Sequence, residues 1–265
     1  CLSVNSRRTN VILGTDIRVL WGKAAMKDTL CGLHFAVSPL SFFQVNPKQT
    51  EKLYGLALDY AGLTGNETVV DAYCGAGTIS LLLAQKAKKV IGIEIVPEAI
   101  QNANENAARN NIANAEFRVG ATEELLPQLV ADGLRPDVIV LDPPRKGCDP
   151  AVLQAIIAAA PKRVVYVSCG APTLARDAKL LAEGGYAAEK VQCVDMFCWT
   201  GAVETVMSLV QQNPDDIVKV GIDADELAVT KAESKATYGE IQARVKEQTG
   251  LNVTPLYIAQ VKRKH

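Results

Sequence analysis

From Thr68 to Leu209 short apolar runs alternate with stretches of helical period, and this alternation leaves few folds open. The predicted strands are Thr68–Tyr73, Val90–Ile95, Ala115–Val119, Asp137–Leu141, Arg163–Ser168, Ala188–Val194 and Thr205–Leu209. Between them Ile79–Ala87, Pro97–Asn110, Glu123–Ala131, Pro150–Ala159 and Leu174–Glu183 read as helices. A strand–helix–strand repeat joins parallel strands by crossovers and covers both faces of the sheet. Runs such as Val138-Ile139-Val140-Leu141 have no polar alternate, as expected of strands buried on both faces. The expected fold is therefore α/β, with a doubly wound, seven-stranded, mostly parallel sheet.

Local signals support the helix starts. Pro97 is followed by Glu98 in a first turn, and Asp149-Pro150 pairs a capping acid with a first-turn proline. Pro47–Ala61 reads as a further helix, with Leu53, Leu56, Ala57 and Tyr60 on one face. Residues 1–40 hold short β-like runs (Val11–Leu13, Arg18–Trp21, His34–Val37) punctuated by Gly14, Gly22 and Gly32, and form a β-rich N-terminal part. The polar stretch from Gln211 to Asp216 marks a boundary. Beyond it a strand at Ile217–Ile222, a helix near Thr230–Thr249 and the basic end Lys262–His265 suggest an α/β extension. The expected domains are 1–40, 41–212 and 213–265.

Charge and cysteine usage narrow the class. A formal net charge of −1 with 22% charged residues suits a soluble enzyme, and gives no overall basic footprint for nucleic acid. Any RNA contact has to come from local patches. The seven cysteines are odd in number and show no C-x-x-C spacing, which points to reduced thiols and a cytoplasmic location. No apolar stretch approaches the roughly 20 residues of a membrane span, and the polar start lacks a signal-peptide core. A monomer is the expected state.

Ligands of such sheets bind at the carboxyl ends of the strands. There the first strand runs out in Asp71-Ala72-Tyr73-Cys74-Gly75-Ala76-Gly77-Thr78, and the second ends at Glu94, an acid placed to receive both hydroxyls of a ribose. The third glycine of a dinucleotide fingerprint and the lysine of a P-loop are both missing. With Asp71 leading the turn, the pattern favours S-adenosylmethionine. Asp142-Pro143-Pro144-Arg145 leaves the fourth strand at the same edge, and Cys169 leaves the fifth. Cys1, Cys31, Cys148 and Cys193 read as small apolar residues, with Cys74 and Cys198 between the two cases. A strand-end cysteine suits a nucleophile if a cation such as Arg145 or Arg176 favours its thiolate. Glu204, just before the last strand, reads either as a solvated glutamate or as a base.

One reaction gives these residues a joint purpose. Carbon-5 of uracil is too weak a nucleophile to take a methyl group from a sulfonium unaided. A thiolate added at carbon-6 makes it electron-rich, and a base must afterwards remove the carbon-5 proton. Cys169, Glu204 and Asp142 supply the thiol, the base and a polar group for the uracil edge.

The segments Ser41-Phe42-Phe43-Gln44-Val45-Asn46, Asp71 to Thr78, Gly92-Ile93-Glu94, Asp142 to Gly147, Tyr166 to Cys169, Thr173 to Asp177 and Asp195-Met196-Phe197…Val203-Glu204 together resemble the RNA uracil-C5 methyltransferase family, over roughly residues 5–210. The resemblance implies a class I, Rossmann-like methyltransferase that binds S-adenosylmethionine and acts on RNA, 23S ribosomal RNA or transfer RNA. It implies Cys169 as nucleophile and Glu204 as proton acceptor, with Gln44, Tyr73, Thr78, Glu94 and Asp142 around the cofactor. Many relatives carry an RNA-binding barrel and an iron–sulfur site. Neither pattern occurs in these residues, and no cluster is expected in this chain.

Four positions depart from the family. Gly170 follows the nucleophile where Asn-Pro or Asp-Pro is usual, and Cys198, Trp199 and Ala202 stand where Pro-His and a histidine near the glutamate are common. Two alternatives stay open: methyl transfer to nitrogen of a base or side chain, and a cofactor-binding, RNA-interacting module without catalysis.

Overall fold

The computed structural model describes residues 1–5, 14, 16–39, 41–200, 203–212, 243, 246 and 247. The chain divides into Cys1–Gln212 and Asn213–His265. In the second unit the predicted strand Ile217–Ile222 and the basic end lie outside the described residues. So does the predicted helix, apart from Ala243, Lys246 and Glu247, which are helical.

The first unit is organised by a seven-stranded sheet. In chain order, two short strands come first, β1 (Leu2–Val4) and β2 (Asp16–Arg18), followed by the hairpin β3 (Met26–Leu30) and β4 (Leu33–Val37). Helix α1 (Pro47–Ala61) leads into the alternating region. That region runs β5 (Thr68–Ala72), α2 (Thr78–Ala84), β6 (Lys89–Glu94), α3 (Pro97–Arg109), β7 (Ala115–Val119), α4 (Thr122–Ala131), β8 (Val138–Leu141), α5 (Pro150–Ala159), β9 (Arg163–Ser168), α6 (Ala171–Glu183), β10 (Tyr186–Val194) and β11 (Glu204–Gln211). The spatial order is β10-β11-β9-β8-β5-β6-β7. β11 is antiparallel to both its neighbours, and the other pairings are parallel.

The order reverses between β5 and β8, so the crevice opens at their carboxyl ends. Period-2 alternation of apolar residues explains both cores. Val138 and Val140 point into a cluster under α1 and α2, with Val69, Val165 and Val206. Ile139 and Leu141 point the other way, into a cluster with α4, α5 and α6 that holds Val70, Val152 and Leu181.

Most boundaries differ from the sequence reading by only a few residues. The first strand stops at Ala72, because Tyr73 takes a left-handed φ of 68°. Helix α6 starts at Ala171 rather than Leu174, since Pro172 fits a first turn. The N-terminal part departs further. β3 was not foreseen, because Met26, Lys27 and Thr29 face solvent and give no apolar pattern. Arg18–Trp21 is strand only to Arg18, and Val11–Leu13 lies outside the described residues.

The hairpin is fastened to α3 by asparagines. Asn102, Asn106 and Asn110 stand four residues apart on the helix and bond alternate residues of the strand. Asn106 accepts from Ala36 N at 2.7 Å and donates to Ala36 O at 3.1 Å. Asn110 treats His34 in the same way at 2.8 and 2.7 Å, and Asn102 accepts from Ser38 N at 2.8 Å. The spacing works because four helical residues rise about 6.0 Å and two strand residues about 6.7 Å.

Candidate active site

The turn after β5 is shaped by glycine. Gly77 caps α2 with a φ of 81°, and a Cβ there would lie 3.0 Å from Ala103 and 3.1 Å from Phe117. Gly75 has a φ of 54°, and a Cβ built on it meets nothing within 4 Å. The backbone is thus bare on the crevice side, where a ligand can approach closely. Glu94 braces this turn from the end of β6. One carboxylate oxygen accepts from Gly75 N at 3.1 Å and the other from Val96 N at 2.9 Å.

Asp71 lies beneath the turn, fully buried. Its Oδ2 accepts from Ser80 Oγ at 2.5 Å, and its Oδ1 has no partner. Burial pushes its pKa up to about 7 against the pull of Ser80. Thr78, the first residue of α2, donates its hydroxyl to the Tyr54 phenol at 3.4 Å. Sequence reading overlooked Tyr54. The phenol is buried on α1, and its pKa is raised by burial and then by the charges of Asp142, Asp71 and Glu204. It thus stands between the glycine turn and the acids at the other end of the crevice. A buried tyrosine on an amphipathic helix gives no sequence signal of that role. Tyr73 is half-buried, its ring packed on the core cluster and its phenol beside Cys148. Gln44 is buried in the turn before α1, between the exposed Phe42 and Val45.

The second group comes from β8, β9 and β11. Cys169, one residue beyond β9, is partly exposed. Its thiol is held above the ordinary range by burial, then by Glu204, with Asp142 adding to the effect and Arg145 opposing it. Asp142 is pushed up to about 8 by burial, by Glu204 and by Asp71. Glu204, buried at the start of β11, is raised by burial against the pull of Arg145. Strand register brings Cys169, Asp142 and Glu204 together: Thr205 pairs with Ser168 and Leu141 with Tyr166, so the three stand at neighbouring strand ends, and Arg145 acts on both Cys169 and Glu204.

Of the two arginines considered as a thiolate partner, Arg176 is committed elsewhere. It pairs with Asp177 at 2.6 Å and donates to the carbonyls of Lys146 and Cys148, both at 3.1 Å. Buried Asp177 also accepts from Tyr166 Oη at 2.6 Å and Cys148 N at 2.8 Å. This network clamps the loop after β8 onto β9 and α6. Gly170 is also fixed. Its N–H donates to Ser168 Oγ at 3.1 Å, and its carbonyl accepts from Leu174 N at 3.0 Å and Thr173 Oγ1 at 2.9 Å. The segment carrying the thiol is therefore pinned despite the glycine. Ala202 lies outside the described residues.

All seven cysteines are free thiols. Among the described residues no group of His, Cys, Asp and Glu could hold a metal ion, and no helix is long and apolar enough to cross a membrane.

Comparisons with known proteins agree with this architecture. An uncharacterized RNA methyltransferase of Halalkalibacterium halodurans is 56% identical over 211 residues, which are 80% of this chain and 46% of that protein. One from Clostridium acetobutylicum is 56% identical over 205 residues, 77% of this chain and 45% of its own length. The chain thus spans about half the length of the curated relatives it matches. Among solved structures, the Pyrococcus abyssi tRNA (uracil-54, C5)-methyltransferase, in complex with S-adenosyl-L-homocysteine, aligns with a TM-score of 0.68 at 34% identity. The match covers 78% of this chain and 50% of that one. Wild-type Trm5b from the same organism, at 16% identity, a TM-score of 0.54 and coverage of 71% and 56%, shares the fold alone. The model of the tRNA (Uracil-5-)-methyltransferase family matches residues 25–212, which include the hairpin, the glycine turn and all four residues at the far end of the crevice, and to that family this chain belongs.

Proposed function

We propose that this chain is the catalytic part of an S-adenosylmethionine-dependent RNA methyltransferase that modifies carbon-5 of a uridine through a covalent adduct with Cys169. The observation that carries the reading is the convergence of Cys169, Glu204 and Asp142 on one sheet edge, where Thr205 pairs with Ser168, Leu141 with Tyr166 and Ala72 with Leu141, beside the Gly75–Glu94 turn. Membership of the family supports it.

The residues fit the cofactor. Each Glu94 oxygen takes one backbone N–H and keeps a lone pair for a ribose hydroxyl. The unpartnered Asp71 Oδ1 and the open face of Gly75 add an acceptor and room. Gln44, Tyr73, Thr78, Glu94 and Asp142 are the proposed lining.

Cys169 Sγ, as thiolate, adds to carbon-6 of the uracil, and the displaced electron pair enriches carbon-5 and the carbonyl oxygen beyond it. Asp142, largely protonated at neutral pH, donates a hydrogen bond to that oxygen as its charge grows. When bound, S-adenosylmethionine supplies an electrophilic methyl group to carbon-5. Glu204 then accepts the carbon-5 proton, the carbon–sulfur bond breaks with its electrons returning to Cys169, and the ring double bond reforms. The raised pKa of Glu204 suits it to hold that proton.

RNA containing 5-fluorouridine tests the scheme, because fluorine leaves no proton to remove. With the cofactor present, the chain is expected to form a denaturation-resistant adduct. Cys169→Ala forms none and loses methyl transfer by at least about 10³-fold. Absence of an adduct from the unaltered chain, with methyl transfer intact, would overturn the covalent step. The expected RNA is 23S, with transfer RNA as the competing assignment. Mapping 5-methyluridine in both RNAs with and without the gene decides between them.

A further inference from the structure

Trp199, in the segment that follows β10, carries two local costs. Trp199 has a φ of 69°, in the left-handed region that disfavours any side chain by about 1–2 kcal/mol. Its indole is also fully exposed, at 103% of the reference accessibility. Glycine would remove the first cost and a polar residue the second.

The turn around it is well anchored. Met196 is buried, and its carbonyl accepts from Asn46 Nδ2 at 3.1 Å. Thr200 donates to the carbonyl of Phe197 through both N–H and hydroxyl, at 3.1 and 2.7 Å. From Met196 to Thr200 the backbone is thus tied at both ends of the tryptophan, whose indole lies in solvent. Strain kept at an exposed aromatic points to a ligand.

Its position says which ligand. Trp199 stands five residues before Glu204, at most about 17 Å of extended chain. Its turn is tied to Asn46, two residues from Gln44. A uracil reacting with Cys169 has to lie inside, among Glu204 and Asp142, and because Val194 pairs with Glu204 the segment carrying Trp199 leaves the sheet at that same edge, where the next part of the strand passes. A base that leaves its stack deprives its neighbours of a stacking face. The exposed Arg145 and Lys146, leaving β8 at the same edge, offer positive charge for the phosphates between.

We propose that Trp199 is a stacking platform for the nucleobase next to the target uridine. This rests on the uridine-C5 reading above. It also gives a purpose to a position where the sequence departs from its family.

The test uses the whole chain with Trp21→Phe, which leaves Trp199 as its one tryptophan. The probe is a single-stranded RNA decamer with a central uridine, alongside the same decamer with abasic sites on both sides of that uridine. The intact decamer should quench Trp199 emission saturably. By anisotropy Trp199→Ala should bind it about 10-fold more weakly, and Trp199→Phe within about 3-fold. The abasic decamer should bind the parent and Trp199→Ala alike. Equal binding of the intact decamer by the parent and Trp199→Ala, or no quenching, overturns the proposal. Methyl transfer to the decamer is read separately. Quenching and the Trp199→Ala loss without any C5 methylation would support the platform and count against the methylation reading.

Discussion

At the β5–β6 end of the crevice, Glu94 is bolted between the backbone N–H groups of Gly75 and Val96, and the turn it braces is locked by Gly77 packing against Ala103 and Phe117. At the β8–β9 end, charge is what links the groups: Glu204 and Asp142 hold the Cys169 thiol up while Arg145 draws it down. The first end is preorganised and needs little adjustment to receive a ligand. The second is kept close to its uncharged form, which suits groups that must exchange protons during a reaction. A mutation at the first end should therefore alter binding at every pH, and one at the second should alter how activity depends on pH.

The largest effect expected on binding breaks the braced end. Glu94→Ala removes two charge-assisted backbone bonds together with the proposed diol contacts. Affinity for S-adenosylhomocysteine, measured by calorimetry, is expected to fall about 100-fold, equally at pH 5 and pH 6, below the range in which Asp71 releases its proton. A loss confined to one pH would erase the contrast. Arg145→Gln sharpens it from the other side. Without the guanidinium, the Cys169 pKa rises further, so less thiolate is present at neutral pH. Because Arg145 is exposed and screened, kcat at saturating RNA should fall by about 3- to 10-fold at pH 7 and recover as pH rises past the thiol's pKa, with cofactor affinity unchanged.

The smallest effect is on stability. Folded Asp71 and Asp142 keep protons up to about pH 7 and about pH 8, whereas unfolded carboxyls release them near pH 4. The folded state binds more protons in that window, so stability is greatest below it and declines as pH rises through it. Between pH 5 and pH 8 Tm should drop by a few degrees. Asp142→Asn, which cannot ionise, should flatten that slope, and an unchanged slope would show that Asp142 is not the group responsible.

The sheet was legible because its central strands β8 and β9 are nearly continuous apolar runs, buried along their length, and because prolines mark the starts of α1, α3 and α5. Pro47–Ala61, Pro150–Ala159 and Arg163–Ser168 end in the structure where the sequence places them. The positions of Cys169, Asp142 and Glu94 at strand ends followed from the same alternation. What stayed hidden depends on contacts across the chain. Asn102, Asn106 and Asn110 look like the polar face of a helix until β4 is laid against them. Tyr54 looks like a core residue, and nothing in Thr173-Leu174-Ala175-Arg176-Asp177 tells that Arg176 is occupied by its neighbour while the charge of Arg145 acts on the thiol.

The asparagine ladder also works as a gauge of length. Three rungs match strand against helix, and Asn106 reaches on to the carbonyl of Ala76 in the glycine turn at 3.3 Å. Adding or deleting one residue in β4 would swap its two sides and unseat all the rungs together, since alternate residues face opposite ways. Point changes along the hairpin are therefore absorbed singly, while changes in its length reach the floor of the crevice at once.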